Sequence, residues 1–192
     1  MNLANRLTVS RFFLSVAFVI ALSVRLPFRF TAALLLFVLA GITDYADGQI
    51  ARRCHMETDF GRLMDPLVDK IMMAAAFICL VPLRAIPAWA ATVIVSREFL
   101  ITGLRLLAAS KGRVLSAEKL GKHKTAWQII TAFFFLLMLS VPEFARLTDT
   151  PLHLYWRIWD WGGAFLLFVT VAITLISGAG YLWKNRALIE QP

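Results

Sequence analysis

Six apolar runs, at residues 7–24, 31–42, 67–83, 86–107, 126–141 and 161–183, divide this chain and limit its fold more than any other feature. A helix that crosses the hydrocarbon of a bilayer needs roughly 20 apolar residues, and in lipid the backbone must satisfy its own hydrogen bonds. With 59% of the 192 residues hydrophobic and only 17% charged, the chain is too apolar for an ordinary soluble domain of this size. The pattern predicts an all-α integral membrane protein, with six transmembrane helices in one bundle and a single domain over 1–192.

Six crossings would put both termini on one side of the membrane. Arg25, Arg29, Arg84, Arg146 and Arg157 fall in or near the odd-numbered connections. Apart from Lys70 and Arg97, the other Lys and Arg residues lie with the termini, with residues 44–69 and with residues 105–124. The positive-inside rule then predicts a multi-pass protein with both termini cytoplasmic. The first run carries Arg6 and Arg11 at its head like a secretory signal, but without a small-residue cleavage site after Val24 it reads as a retained span. The net charge of +8 fits this topology and attraction for anionic headgroups and substrates. The basic residues follow no nucleic-acid-binding pattern, so nucleic acid is not expected as a partner.

Cys54 and Cys79 have no disulfide or metal spacing, and Cys54-His55 alone is too little for a soft-metal site.

The stretch DYADGQIARRCHMETDFGRLMDPLVD, residues 44–69, concentrates carboxylates in a chain that has few. Asp44 and Asp47 are three apart, and Asp65 and Asp69 four apart, so on helices each pair shares a face. Two such pairs brought together form an all-oxygen site suited to hard divalent cations. Ionisable groups at the ends of apolar runs are expensive and are usually retained for function. Gly48 and Gly61 leave backbone open to a ring or phosphate, and Arg52 is a natural phosphate partner. Residues 52–60 are polar and read as a connecting loop, with Asp65-Pro66 at the start of the third helix.

This arrangement resembles the CDP-alcohol phosphotransferases. Their signature is Asp, two residues, Asp-Gly, two residues, Ala-Arg, eight residues, Gly, three residues, Asp, three residues, Asp. Here it is complete as Asp44, Asp47-Gly48, Ala51-Arg52, Gly61, Asp65 and Asp69. The resemblance implies that Asp44, Asp47 and Asp65 bind two divalent cations, Mg²⁺ or Mn²⁺, with Asp69 as general base and a further ligand. It also implies a CDP-linked donor that releases CMP, with Gly48, Arg52 and Gly61 cradling its cytidine diphosphate end. Homodimerisation follows from the same resemblance, while the distribution of Lys and Arg puts the active site at the cytoplasmic boundary of the bacterial inner membrane.

Outside the signature, Asn5, Thr8 and Arg11 recur at intervals of three, Ser96-Arg97-Glu98 interrupts an apolar run, and Arg105 follows Arg97 by eight. Gly121-Lys122-His123-Lys124-Thr125 opens the fifth run. This set, from residue 5 to about 130, resembles the bacterial branch of the family that makes phosphatidylglycerophosphate. The implied reaction joins CDP-diacylglycerol to sn-glycerol 3-phosphate, with Asn5 and Thr8 on the donor and Arg97, Arg105, Lys122 and Lys124 on the acceptor phosphate. A dianionic acceptor gives that basic cluster a role that free inositol, choline or serine would not. Two alternatives stay open: the same chemistry with inositol phosphate or phosphatidylglycerol as acceptor, and a divalent-cation transporter using the aspartates as its ion site.

Overall fold

A computed structural model describes residues 3–54, 59–110, 119–148 and 153–186, with side chains over 10–43, 70–110, 123–145 and 154–186. Six helices follow in order: α1 (Leu3–Ser23), α2 (Arg29–Cys54), α3 (Asp59–Leu80), α4 (Ala88–Ser110), α5 (Lys119–Thr148) and α6 (His153–Lys184). α1 packs on α2 and α3, α5 on α6 and α2, and α4 on α6, while α3 also touches α4 and α5.

Two apolar clusters hold this arrangement. Phe18 and Leu22 of α1, Ala33 and Phe37 of α2, Ala76 of α3 and Leu136 of α5 form one. Phe77 of α3, Ala90 and Ile94 of α4, Phe135 of α5 and Val171 of α6 belong to the other. α3 and α5 therefore feed both clusters and join the two halves. The buried alanines let neighbouring backbones come close, which is how helices gain contact where burial from water gives little drive.

The start of α2 is capped from a distance. Glu143 of α5 accepts hydrogen bonds from the backbone N–H of Phe30 (3.0 Å) and Thr31 (2.9 Å) and from the Thr31 hydroxyl (2.7 Å). These are N–H groups that no helical carbonyl can reach. Phe28 in the preceding turn has φ 57°, and Arg84 in the α3–α4 turn φ 56°, so both connections reverse through left-handed residues.

Three sequence expectations change here. The first is the number of spans. Among the described residues, only His123–Ala145 in α5 and Leu154–Lys184 in α6 are long and apolar enough to cross a bilayer. The described apolar parts of the first three helices, Ser10–Ser23, Arg29–Thr43 and Lys70–Leu80, are shorter than a bilayer requires. α4 has the length but carries Arg97, Glu98 and Arg105 inside it. Among the described residues the bundle has six helices, as expected, with two candidate spans in place of six. The second change follows from the first: a multi-pass chain with both termini cytoplasmic rested on counting six crossings, and that count does not hold. Membrane association rests instead on the two long helices and an apolar exterior, where Phe13, Trp161, Phe168 and Trp183 stand exposed.

The third change concerns element ends. α2 continues to Cys54 and α3 begins at Asp59, so helix covers most of the expected loop and Pro66 lies inside α3. α5 likewise runs on through Pro142 to Thr148.

Candidate active site

The signature lies on two consecutive helices. Asp44, Asp47, Gly48 and Arg52 fall in the final part of α2, and Gly61, Asp65 and Asp69 in the first part of α3. Their side chains lie outside the described residues, as do those of Asn5 and Thr8 on α1 and Lys122 on α5. Among the described residues no group of three or more metal-ligating side chains occurs.

A cavity of about 210 Å³ opens between the described parts of α1 to α5. Gly41, three residues before Asp44, and Lys70, directly after Asp69, line it together with Arg11 of α1, Glu98 of α4 and Thr125 and Gln128 of α5. Five helices thus contribute to one space, whose lining on α2 and α3 flanks the signature in sequence.

A polar network passes from this cavity across the bundle. The Lys70 ammonium donates to the Thr102 hydroxyl, which donates to the Glu98 backbone carbonyl at 2.7 Å. The Glu98 carboxylate accepts from the Lys124 ammonium, from Gln128 Nε2 at 3.3 Å and from Arg97 Nη1 at 3.4 Å. The Glu98 and Lys124 side chains are 12% and 4% exposed, so water screens this pair little. Lys70 and Arg97 also act on the Lys124 ammonium through space, so three cations gather near the Glu98 carboxylate among the described side chains. Polar groups buried in this way need partners, and this network supplies them.

Arg97 and Arg105 both reach α6. Arg97 Nη2 donates to Ser177 Oγ at 3.2 Å, and Arg105 Nε donates to Tyr181 Oη at 3.3 Å with its guanidinium 5.5 Å from the ring centroid. Of the basic residues singled out from sequence, Arg97 and Lys124 are thus brought together on Glu98, while Arg105 stands farther along α4 on Tyr181.

Gln128, Thr102, Ser177 and Tyr181 were not anticipated as parts of a site, and Glu98 was singled out only as the neighbour of Arg97. A signal for the α6 residues exists in the chain: Thr170, Thr174, Ser177 and Tyr181 recur at intervals of four, three and four in an apolar helix, and all are buried. A polar stripe on an apolar helix marks the face that meets polar neighbours.

The family profile described as CDP-alcohol phosphatidyltransferase matches residues 1–176, which takes in the signature, the cavity and most of α6. The chain belongs to the CDP-alcohol phosphatidyltransferase family. It is 37% identical to the CDP-diacylglycerol–glycerol-3-phosphate 3-phosphatidyltransferase of Bacillus subtilis (strain 168), over 96% of this chain and 95% of that one. The Rickettsia bellii protein of the same description is 30% identical over 94% and 93%. A probable phosphatidylglycerophosphate synthase of Mycobacterium tuberculosis is 33% identical over 94% of this chain and 80% of that one. Membership in the CDP-alcohol phosphatidyltransferase family brings with it the reaction type, phosphatidyl transfer from a CDP-linked donor in lipid biosynthesis.

Proposed function

We propose that this protein, acting as one domain over 1–192, transfers the phosphatidyl group of CDP-diacylglycerol to sn-glycerol 3-phosphate and releases CMP. The observation that carries this reading is the 37% identity, across nearly the whole of both chains, to the Bacillus subtilis transferase that bears that description. The gathering of Lys70, Arg97 and Lys124 in one part of the bundle supports a phosphorylated acceptor.

The signature's donor set is four carboxylates, which suits hard divalent cations. Asp44, Asp47 and Asp65 would hold two of them, with Asp69 contributing. When bound, such ions neutralise diphosphate charge and polarise the phosphoryl oxygens.

The remaining work falls to the chain's own groups. Asp69 takes the proton of the acceptor's hydroxyl. The freed oxygen forms a bond to the β-phosphorus, and the bond from that phosphorus to the bridging oxygen breaks, so that CMP leaves with the electron pair. Arg52, Gly48 and Gly61 hold the cytidine diphosphate end, with Asn5 and Thr8 beside it. Arg97, Arg105, Lys122 and Lys124 hold the acceptor's phosphate and so favour a dianion over a neutral alcohol.

The test is CMP release by the purified protein in detergent with CDP-diacylglycerol and Mg²⁺, offered glycerol 3-phosphate, glycerol, inositol phosphate or phosphatidylglycerol in turn. Release that depends on glycerol 3-phosphate is expected. Release with another acceptor alone would overturn the assignment of the basic residues.

A further inference from the structure

The two arginines of α4 do not stand alone. Arg97 and Arg105 are eight residues apart, so they project from nearly one face of α4, and that face meets α6. On α6, Ser177, Gly178 and Tyr181 occupy one turn. Each of the three meets one of the arginines by a different physical means.

Ser177, 2% exposed, accepts a hydrogen bond from Arg97 Nη2 at 3.2 Å. Gly178 makes room for the same side chain: a Cβ placed there would lie 3.1 Å from Arg97 Cγ, closer than neighbouring atoms tolerate without moving. Tyr181, also 2% exposed, holds Arg105 twice, by its hydroxyl at 3.3 Å and by its ring face at 5.5 Å. A guanidinium stacked on a ring and tied at Nε has few remaining rotamers, so its outer nitrogens are aimed. An aligned guanidinium binds phosphate with less ordering cost than a free one.

We infer that Ser177, Gly178 and Tyr181 are positioning residues, through which α6 sets the placement of Arg97 and Arg105 and thereby the enzyme's affinity for a phosphorylated acceptor. This rests on the proposed role of the two arginines at the acceptor phosphate. It assigns α6 a part in specificity, which its apolar composition conceals.

The experiment measures CMP release with glycerol 3-phosphate varied, for Arg97→Ala, Arg105→Ala, Ser177→Ala, Gly178→Ala, Tyr181→Phe and the doubles Arg97→Ala/Ser177→Ala and Arg105→Ala/Tyr181→Phe. Tyr181→Phe keeps the ring and its packing, so it stays folded where a larger change would not. It is expected to raise the acceptor KM by roughly tenfold, the effect of losing one hydrogen bond to a charged group, with kcat and the CDP-diacylglycerol KM unchanged. Ser177→Ala and Gly178→Ala raise the same constant. In each double variant the α6 change adds nothing to the arginine change, because it acts only through that arginine. If Arg97→Ala and Arg105→Ala leave the acceptor KM unchanged, the acceptor-site reading fails and this inference fails with it. If those two raise the KM while Ser177→Ala and Tyr181→Phe do not, or do so additively in the doubles, the acceptor-site reading stands and the positioning role is overturned.

Discussion

Tyr155 of α6 donates its phenolic hydrogen to the Met138 carbonyl of α5 at 2.8 Å. Met138 lies four residues before Pro142, which has no N–H to offer it. The tyrosine thus fills the vacancy that lets α5 continue through a proline. Tyr155→Phe should lower stability by about 1 kcal/mol. In a Pro142→Ala background, where a backbone N–H returns to Met138, the same change should matter much less. Thermal unfolding of the four proteins in detergent reads the difference, and an equal loss in both backgrounds would refute the link.

Glu143 links the same region to the signature helix. Its carboxylate takes three hydrogen bonds from Phe30 and Thr31 at the start of α2, whose other end carries Asp44 and Asp47. Glu143→Ala should lower stability by about 1.5–3 kcal/mol, with Glu143→Gln in between because it keeps one acceptor oxygen. Unfolding midpoints in that order support the cap. A Gln variant as weak as the Ala variant would show that the charge carries all of it.

These contacts mark where the sequence stops being readable. The signature was legible because Asp44, Asp47, Asp65 and Asp69 stand at fixed spacing among apolar residues, where a carboxylate is costly. The six helices were legible for a similar reason, since each apolar run is set off by turn or polar residues. Which helices cross a bilayer was not. Hydropathy sums over a run, and three charges inside α4 or a short apolar stretch in α3 change the answer without erasing the run. Glu143 on α2 was equally hidden, because a cap 112 residues away leaves no local pattern. Arg97, Glu98, Arg105 and Lys124 were found as charges in apolar surroundings, but their partners Gln128, Ser177 and Tyr181 depend on helix packing.

Glycines divide by what faces them. A Cβ at Gly163 would lie 3.0 Å from Phe135 Cε1, and Phe135 is buried between α5 and α6, whereas nothing lies within 4 Å of a Cβ at Gly103. Gly163→Ala should cost about 1–3 kcal/mol by forcing the ring aside. Gly103→Ala should be neutral or stabilising by up to about 1 kcal/mol, since alanine favours helix. Paired melting curves test this, and equal shifts of one sign would contradict it.

If the four aspartates hold the divalent ions, chelation should abolish CMP release and added Mg²⁺ or Mn²⁺ should restore it. Asp44→Asn and Asp65→Asn should also abolish turnover, with weakened Mn²⁺ binding by calorimetry in the absence of substrate. Full activity in either variant would remove that residue from the metal site.

Glu98 and Lys124 allow structure and function to be separated. Glu98→Ala leaves Lys124 buried beside Arg97 and Lys70 without its carboxylate, a change expected to cost about 3–5 kcal/mol. Lys124→Met should cost less, because Glu98 keeps Arg97 and Gln128. The double variant Glu98→Gln/Lys124→Met removes both charges and should recover much of the stability lost by Glu98→Ala. Its kinetics then decide what the lysine does. With a purely structural pair, the double variant regains a normal acceptor KM along with its stability. With Lys124 contributing charge at the acceptor phosphate, as the proposed function requires, stability returns while the glycerol 3-phosphate KM stays raised. Unfolding and CMP release measured on the same preparations, with Glu98→Gln alone as the reference for any displacement of Arg97, distinguish the two, and a normal KM in the stable double variant would take Lys124 out of the acceptor site.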